Sequence, residues 1–307
     1  FPVEKSRANA GLQTASRQTQ RAQRVRERER ERRSAQGSHH HRRSAKMMLD
    51  EVHSEKLCAN QFILLVSNAS EKKTALARFF NKNNPIKKIP KHKAWGIKAR
   101  NKEQSLALDL LMDSNVPVVT LVGQAGSGKT LCAIAAGLEQ VVESTSTGRY
   151  KHLIVSRPIQ PLGRDLGYLP GTLEEKMNPW LAPIQDNLRF LMGNDRATLD
   201  DYMMRGVIEI EALTYIRGRS ISDAYIIIDE AQNLTAHELK TIVTRVGDNT
   251  KIVLTGDIEQ IDNAYVDATN NGLSHAIEKL KDFSLTGHIT LIKGERSEVA
   301  SLAAKNL

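Results

Sequence analysis

From Trp95 to the end of the chain, short apolar runs alternate with amphipathic stretches. Residues 117–122 are apolar apart from one threonine and lead at once into a glycine-rich loop, after which apolar positions recur at helical spacing to about Val142. Residues 151–156 predict a second strand, and 207–213, where apolar and polar positions alternate, a third. Residues 225–229 predict a buried strand ending in an acid, 251–255 another that runs into Thr255-Gly-Asp257, and 289–292 the last of the series. Continuous apolar strands need cover on both faces, which helices between them supply. The pattern predicts an α/β fold, a parallel sheet flanked by helices, over residues 94–307.

Upstream the pattern changes. Residues 62–66 predict a short strand, 67–70 a turn and 71–80 an amphipathic helix; Asn83, Asn84, Pro85 and Pro90 then break regularity in a lysine-rich link. Residues 47–93 are thus expected to be a small β/α connector. Residues 1–46 are rich in Arg, Gln, Ser and Ala, nearly lack large apolar side chains, and are expected to be a disordered basic segment. His39, His40 and His41 beside Gly37 and Ser38 read as a tag remnant or solvated tract rather than a metal site.

The net charge of +9 sharpens this division. Residues 1–46 hold thirteen basic side chains against four acidic ones, so the rest of the chain balances. Within that remainder, residues 71–100 carry ten basic side chains and one acidic, leaving a mildly acidic body elsewhere. The lysine-rich stretch 72–100 either tracks phosphates, with binding that weakens steeply with salt, or is solvated linker. No apolar run approaches the roughly 20 residues of a membrane-spanning helix, and no apolar leader opens the chain, so a cytoplasmic protein without a membrane partner is expected. Cys58 and Cys132 show no metal-ligand spacing and are expected to pack.

The chemistry lies at the ends of two predicted strands. Gly123-Gln-Ala-Gly126-Ser127-Gly128-Lys129-Thr130 fits a phosphate-binding loop and sits between a strand and a helix, as the mechanism requires. Its glycines let backbone N–H groups turn inward around phosphate oxygens, and the helix N-terminus adds the positive end of its dipole. Gly123, Gly126, Ser127, Gly128, Lys129, Thr130 and Leu131 are the candidate nucleotide contacts. Lys129 is expected to neutralise β/γ-phosphate charge and the Thr130 hydroxyl to ligate Mg²⁺. The complement is the apolar strand 225–228, which delivers Asp229 and Glu230 at its carboxyl end, where ligands of open α/β sheets collect. Asp229 is expected in the Mg²⁺ shell, and Glu230 is expected to take a proton from, or orient, the attacking water. ATP and Mg²⁺ are the expected cofactors and ATP hydrolysis the expected reaction. One glycine loop and one Asp-Glu strand imply one catalytic core. The arginine that offsets charge on the transferring phosphoryl group, a contribution of about 10³–10⁵ in turnover, must then come from elsewhere in the chain or from a neighbour.

Asp229-Glu-Ala-Gln232, followed by Thr255-Gly-Asp-Ile-Glu-Gln260, resembles superfamily 1 helicases, which implies that Gln232 and Gln260 sense the γ-phosphate and couple it to nucleic acid. Across Ser156-Arg-Pro-Ile-Gln-Pro-Leu-Gly163, Asp165-Leu-Gly-Tyr-Leu-Pro-Gly171, Glu175-Lys-Met-Asn-Pro-Trp180 and Tyr215-Ile-Arg-Gly-Arg219, the chain resembles the PhoH family of phosphate-starvation-inducible ATPases, with the order of every block preserved over about 95–307. The resemblance implies a RecA-like P-loop NTPase fold, ATP hydrolysis, a ring-shaped homo-hexamer and, as in some members, a link to RNA metabolism. Single-stranded RNA or another nucleic acid is therefore the expected polymer. It also implies that Gln104, at the head of a predicted helix, selects adenine by pairing with N6 and N7; on the residues alone, a solvated helix position serves equally. Arg296, in 293–298 after the last strand, resembles the family's arginine and is expected to act in trans across a subunit interface.

Longer members carry a PIN ribonuclease domain, and residues 47–93 are similar to the connector that follows it. Residues 1–46 lack Asp altogether, so nuclease activity is not expected. Arg157, Arg217 and Arg219 either face nucleic acid or the ring interior, or brace loops against carboxylates such as Asp165 and Glu175. Trp180 either stacks on a base or packs. The leading expectation is an ATP-driven nucleic-acid motor or helicase-like remodeller. An ATP-driven protein remodeller and a nucleotide-binding switch are the alternatives; a small-molecule kinase is disfavoured by Glu230 beside Asp229 and by the Thr255-Gly-Asp257 strand end.

Overall fold

A computed structural model of the chain describes residues 57–67, 70–80, 86–143, 149–158, 173–193, 195–216 and 220–294. The segment expected to be disordered, Arg217, Arg219, Arg296 and residues 159–172 lie outside the described residues. The first described element is a small antiparallel sheet of β1 (Gln61–Ser67), β2 (Ser70–Phe79) and β3 (Lys87–Lys88).

The helix expected over 71–80 does not form, because β2 occupies that segment and pairs with β1 from Gln61↔Phe79 to Val66↔Thr74. Local composition, with its Lys and Ala, favours helix. Yet Ala77, Arg78 and Phe79 are all buried in succession. A helix packed along one stripe leaves part of such a triplet outside, whereas a strand covered on both sides buries all of it. The described part of the connector is therefore strand rather than β/α.

A two-residue hairpin joins β4 (Lys93–Ala94) to β5 (Ile97–Lys98). Its turn residues Trp95 and Gly96 both have positive φ, +46° and +75°, the twist that tight hairpins require. Helix α1 (Lys102–Met112) follows, its N-cap Asn101 accepting from the Gln104 N–H. Arg78 of β2 reaches Asp109 of α1 at 2.9 Å and also pairs with Asp113, which ties the small sheet to the body. Asn60 adds a second tie, donating to the Ser284 and Thr286 carbonyls.

The body continues as β6 (Val118–Gly123), α2 (Lys129–Leu138), a π-helical turn Glu139–Glu143, and β7 (His152–Arg157). Then come α3 (Leu173–Leu191), α4 (Arg196–Met204), β8 (Ile208–Ala212), the short α5 (Leu213–Ile216) and β9 (Ala224–Ile228). Helix α6 (Ala236–Val243), β10 (Lys251–Gly256), α7 (Gly272–Leu280) and β11 (Thr286–Leu291) complete it. The six strands from β6 to β11 form one parallel sheet in the order β11-β6-β10-β9-β7-β8.

Alternate residues of each strand enter opposite cores. Tyr225 and Ile227 join α1–α4 on one face; Ile226 and Ile228 join α6 and α7 on the other. That division is why β9 and β10 read as unbroken apolar runs. The last strand starts earlier than the apolar run 289–292, at Thr286, because β11 is an edge strand and tolerates polar residues on its open side. At the amino end of interior strand β10, Lys251 is fully buried, its Nζ donating to the Leu110, Asp113 and Val116 carbonyls at 2.7–2.8 Å. Among the described residues no helix is long and apolar enough to cross a membrane.

Candidate functional site

The site is assembled at the carboxyl ends of β6, β10, β9 and β7. β6 ends at Gly123, and the following loop turns into the N-terminus of α2. Gly126 and Gly128 take φ of +79° and +86°, the left-handed region that glycine enters freely. A Cβ on Gly128 would also stand 2.9 Å from Gln104 Nε2. Lys129 is nearly buried, and its Nζ bridges the loop by donating to the carbonyls of Gly123 and, at 3.0 Å, Gln124. Leu131 lies half-buried in the first turn of α2.

Ser127 contributes two things. Its carbonyl accepts from Gln104 Nε2 at 3.1 Å, while its buried Oγ has no hydrogen-bond partner among the described residues. A buried unsatisfied hydroxyl inside a phosphate loop is costly unless a ligand oxygen meets it. Gln104 is 5% exposed, and its Oε1 accepts from the Arg100 N–H at 2.9 Å. Since a carboxamide offers two donors and two acceptor lone pairs, the contacts among the described residues leave one of each over.

Asp229 and Glu230 follow β9 directly. Thr130 Oγ1 donates to Asp229 Oδ1 at 2.8 Å, and Thr255 Oγ1, at the end of β10, donates to the same oxygen. The Asp229 N–H donates to the Ser156 carbonyl of β7. The threonine hydroxyl and the carboxylate expected to hold Mg²⁺ thus meet, and hard oxygen donors of this kind fit that ion. Glu230 adopts φ +52° and ψ +40°, a left-handed conformation that costs a non-glycine residue about 1 kcal/mol or more. Its Oε2 accepts from Gln232 Nε2 at 2.6 Å, and its Oε1 lies 3.4 Å from the Arg157 guanidinium at the end of β7.

Gln232 is fully buried and links the two halves of the site. Besides Glu230, its Nε2 donates to the Gln260 carbonyl at 2.8 Å, and its Oε1 accepts from the Asp257 N–H at 3.1 Å. Asp257, also buried, accepts from the Ala125 N–H of the phosphate loop at 3.0 Å and from the Glu259 N–H at 3.1 Å. Gln260 enters this network through its backbone; its side chain is exposed. The structure therefore brings together the phosphate loop, Gln104, Asp229, Glu230, Gln232 and the Gln260 backbone, whereas Arg296 lies outside the described residues.

Two further contributors, Thr255 and Asp257, carry no individual role in the sequence pattern beyond the Thr-Gly-Asp end of their strand. Their particular contacts, Thr255 with Asp229 and Asp257 with Ala125, follow from the place of β10 between β6 and β9. Elsewhere, burial pushes the Cys132 thiol up to about 11, which keeps it protonated and in keeping with a packing role. Trp180 is half-buried on α3, and Lys73, Lys87, Lys88, Lys91, Lys93 and Lys98 are exposed.

A strand–loop–helix cradle facing a Thr-Asp pair is shared by many nucleotide-binding proteins; the choice among them comes from comparison. The family model described as PhoH-like protein matches residues 96–303. The chain belongs to this family. Among PhoH-like relatives, Protein PhoH2 of Bacillus subtilis is 47% identical over 83% of this chain and 58% of its own length. Protein PhoH2 of Mycolicibacterium smegmatis is 43% identical over 69% of this chain and 48% of its own. The PhoH-like match thus spans about half the length of these curated relatives. Among solved structures, the Pif1 helicase from Candida albicans aligns with 68% of this chain and 44% of its own at 16% identity, with a TM-score of 0.33, a likeness too slight to inform function.

Proposed function

We propose that this PhoH-like chain binds ATP with Mg²⁺ at the loop 123–130, hydrolyses it, and uses the cycle to act on single-stranded nucleic acid, RNA foremost, as a member of a homo-hexameric ring. The observation that carries the reading is the 2.8 Å contact from Thr130 to Asp229, which joins the phosphate loop to the acidic strand end across an intervening strand. Thr130 and Asp229 would hold Mg²⁺, which neutralises phosphate charge when bound. Lys129 and the loop's backbone N–H groups bind and orient the phosphates. Gln104, with its spare donor and acceptor, is positioned to pair with adenine. Glu230 takes up the proton of the attacking water, and Gln232 with Gln260 relays the state of the loop to it. The ring and the trans role of Arg296 are carried over from the resemblance to the PhoH family; the sequence's one glycine loop and one Asp-Glu strand support them by leaving the arginine to come from elsewhere in the chain or from a neighbour.

The test is ATP turnover with and without single-stranded RNA or DNA. Lys129→Ala is expected to lose nucleotide binding, and Glu230→Gln to keep binding while losing turnover by about a hundredfold or more. Normal turnover in Lys129→Ala sinks the site; indifference of the wild type to every polymer sinks the nucleic-acid part. One observation favours a second reading, a nucleotide switch with slow hydrolysis: both carboxylate oxygens of Glu230 are engaged by neighbouring side chains. Slow turnover unaffected by any polymer selects that reading.

A further inference from the structure

The two partners of Glu230 are not alike. Gln232 is wholly buried and pinned by further hydrogen bonds to Asp257 and Gln260, so it is a fixed neighbour. Arg157 ends β7 with its side chain 21% exposed, beside a Glu230 side chain 31% exposed, and a single 3.4 Å contact joins them. A general base must come within hydrogen-bond reach of the proton it takes. Gln232 on one oxygen and a guanidinium on the other take two of the carboxylate's roughly four acceptor sites and set its orientation, so Glu230 is turned toward its partners rather than toward a water.

The sheet order decides which ligand removes the arginine. The phosphate loop follows β6, and β10 and β9 stand between β6 and β7. At about 4.8 Å per strand, β7 lies about 14 Å along the sheet from the strand that delivers the loop. A nucleotide on the loop approaches Glu230 from the β10 side, whereas Arg157 flanks it from the β8 side. A phosphate arriving over β7 and β8 meets Arg157 first.

We propose that Arg157 is a latch on Glu230, opened when a phosphodiester group of a single-stranded nucleic acid takes the guanidinium and leaves the carboxylate free for the attacking water. The proposal rests on the reading of the chain as a nucleic-acid-dependent ATPase. Arginine suits such an exchange because its planar fork binds carboxylate and phosphate alike. The latch is also weak enough to open. A partly exposed ion pair shifts an equilibrium by up to about fivefold, so a single competing phosphate contact suffices. Arg157 acts through Glu230 and is a positioning residue.

The experiment is steady-state ATP turnover of the wild type, Arg157→Gln and Arg157→Lys, each with and without a single-stranded poly-uridine oligonucleotide. Arg157→Gln is expected to raise polymer-free kcat about two- to fivefold, with KM for ATP unchanged and a correspondingly smaller response to the oligonucleotide. Arg157→Lys, which keeps the charge, restores low basal turnover and the response. Polymer-free kcat unchanged in Arg157→Gln overturns the latch. So does a kcat lowered with and without oligonucleotide, which would place Arg157 in service of the nucleotide's own phosphates. A wild type indifferent to the oligonucleotide, with kcat still raised in Arg157→Gln, overturns release by polymer and the nucleic-acid reading while leaving the hold on Glu230 intact.

Discussion

Gln232 binds three groups through one carboxamide and has no exposed surface. Gln232→Ala leaves the Asp257 N–H and the Gln260 carbonyl without their partner inside a packed site, at an expected cost of about 2–3 kcal/mol. A urea midpoint shift measures that cost, and kcat is expected to fall further than KM rises, because Glu230 loses its fixed neighbour. Thr130 makes a sharper test of chemistry. Thr130→Val keeps the shape of the side chain but removes the donor to Asp229 Oδ1, whereas Thr130→Ser keeps the hydroxyl. Titration with Mg²⁺ is expected to show a loss of at least about tenfold in metal-dependent nucleotide affinity for Val and little loss for Ser. Equal behaviour of the two variants would remove Thr130 from the metal shell.

The small sheet of β1–β3 is held to the body by Arg78, whose guanidinium is almost wholly buried between Asp109 and Asp113 and lies 4.1 Å over the Phe80 ring. Arg78→Ala strands two carboxylates at low exposure, with an expected destabilisation of about 3 kcal/mol in chemical denaturation, against about 0.5 or less for the exposed Lys73→Ala. The same residue shows where the sequence stops being legible. The strands of the body were readable because four of them are covered on both faces, so apolar runs and glycine or acidic ends marked them directly. In β2 the local preference for helix lost to a contact with Asp109 and Asp113, some 31 and 35 positions away, that no local pattern encodes. The glycine loop and Asp229 were readable for the opposite reason, since their residue types and spacing match a known pattern for phosphate and metal binding. The Asp257–Ala125 contact was not, because it depends on the order in which strands sit side by side.

Global stability should carry a pH signature from the sheet edge. His288 of β11 contacts Thr120 Oγ1 of β6 at 2.8 Å, and burial holds its imidazole below the usual 6.5 despite the opposing effect of Thr120. As pH falls through 6.5, the unfolded chain takes up a proton that the folded one refuses, so stability declines on the acid side and is fully present above 6.5. His288→Gln is expected to flatten that decline between pH 7 and pH 5.5, roughly the window of one imidazole titration, as read by thermal unfolding; an identical slope would exclude this histidine. On the same scale, β10 runs between the strand that ends in the phosphate loop and the strand that ends in the two acids. Its root is clamped where the Lys251 ammonium grips three carbonyls, and its tip touches Ala125 through Asp257 and Asp229 through Thr255. Such a strand is a tie rod: held along its length by β6 and β9, it fixes the separation between Ala125 and Asp229.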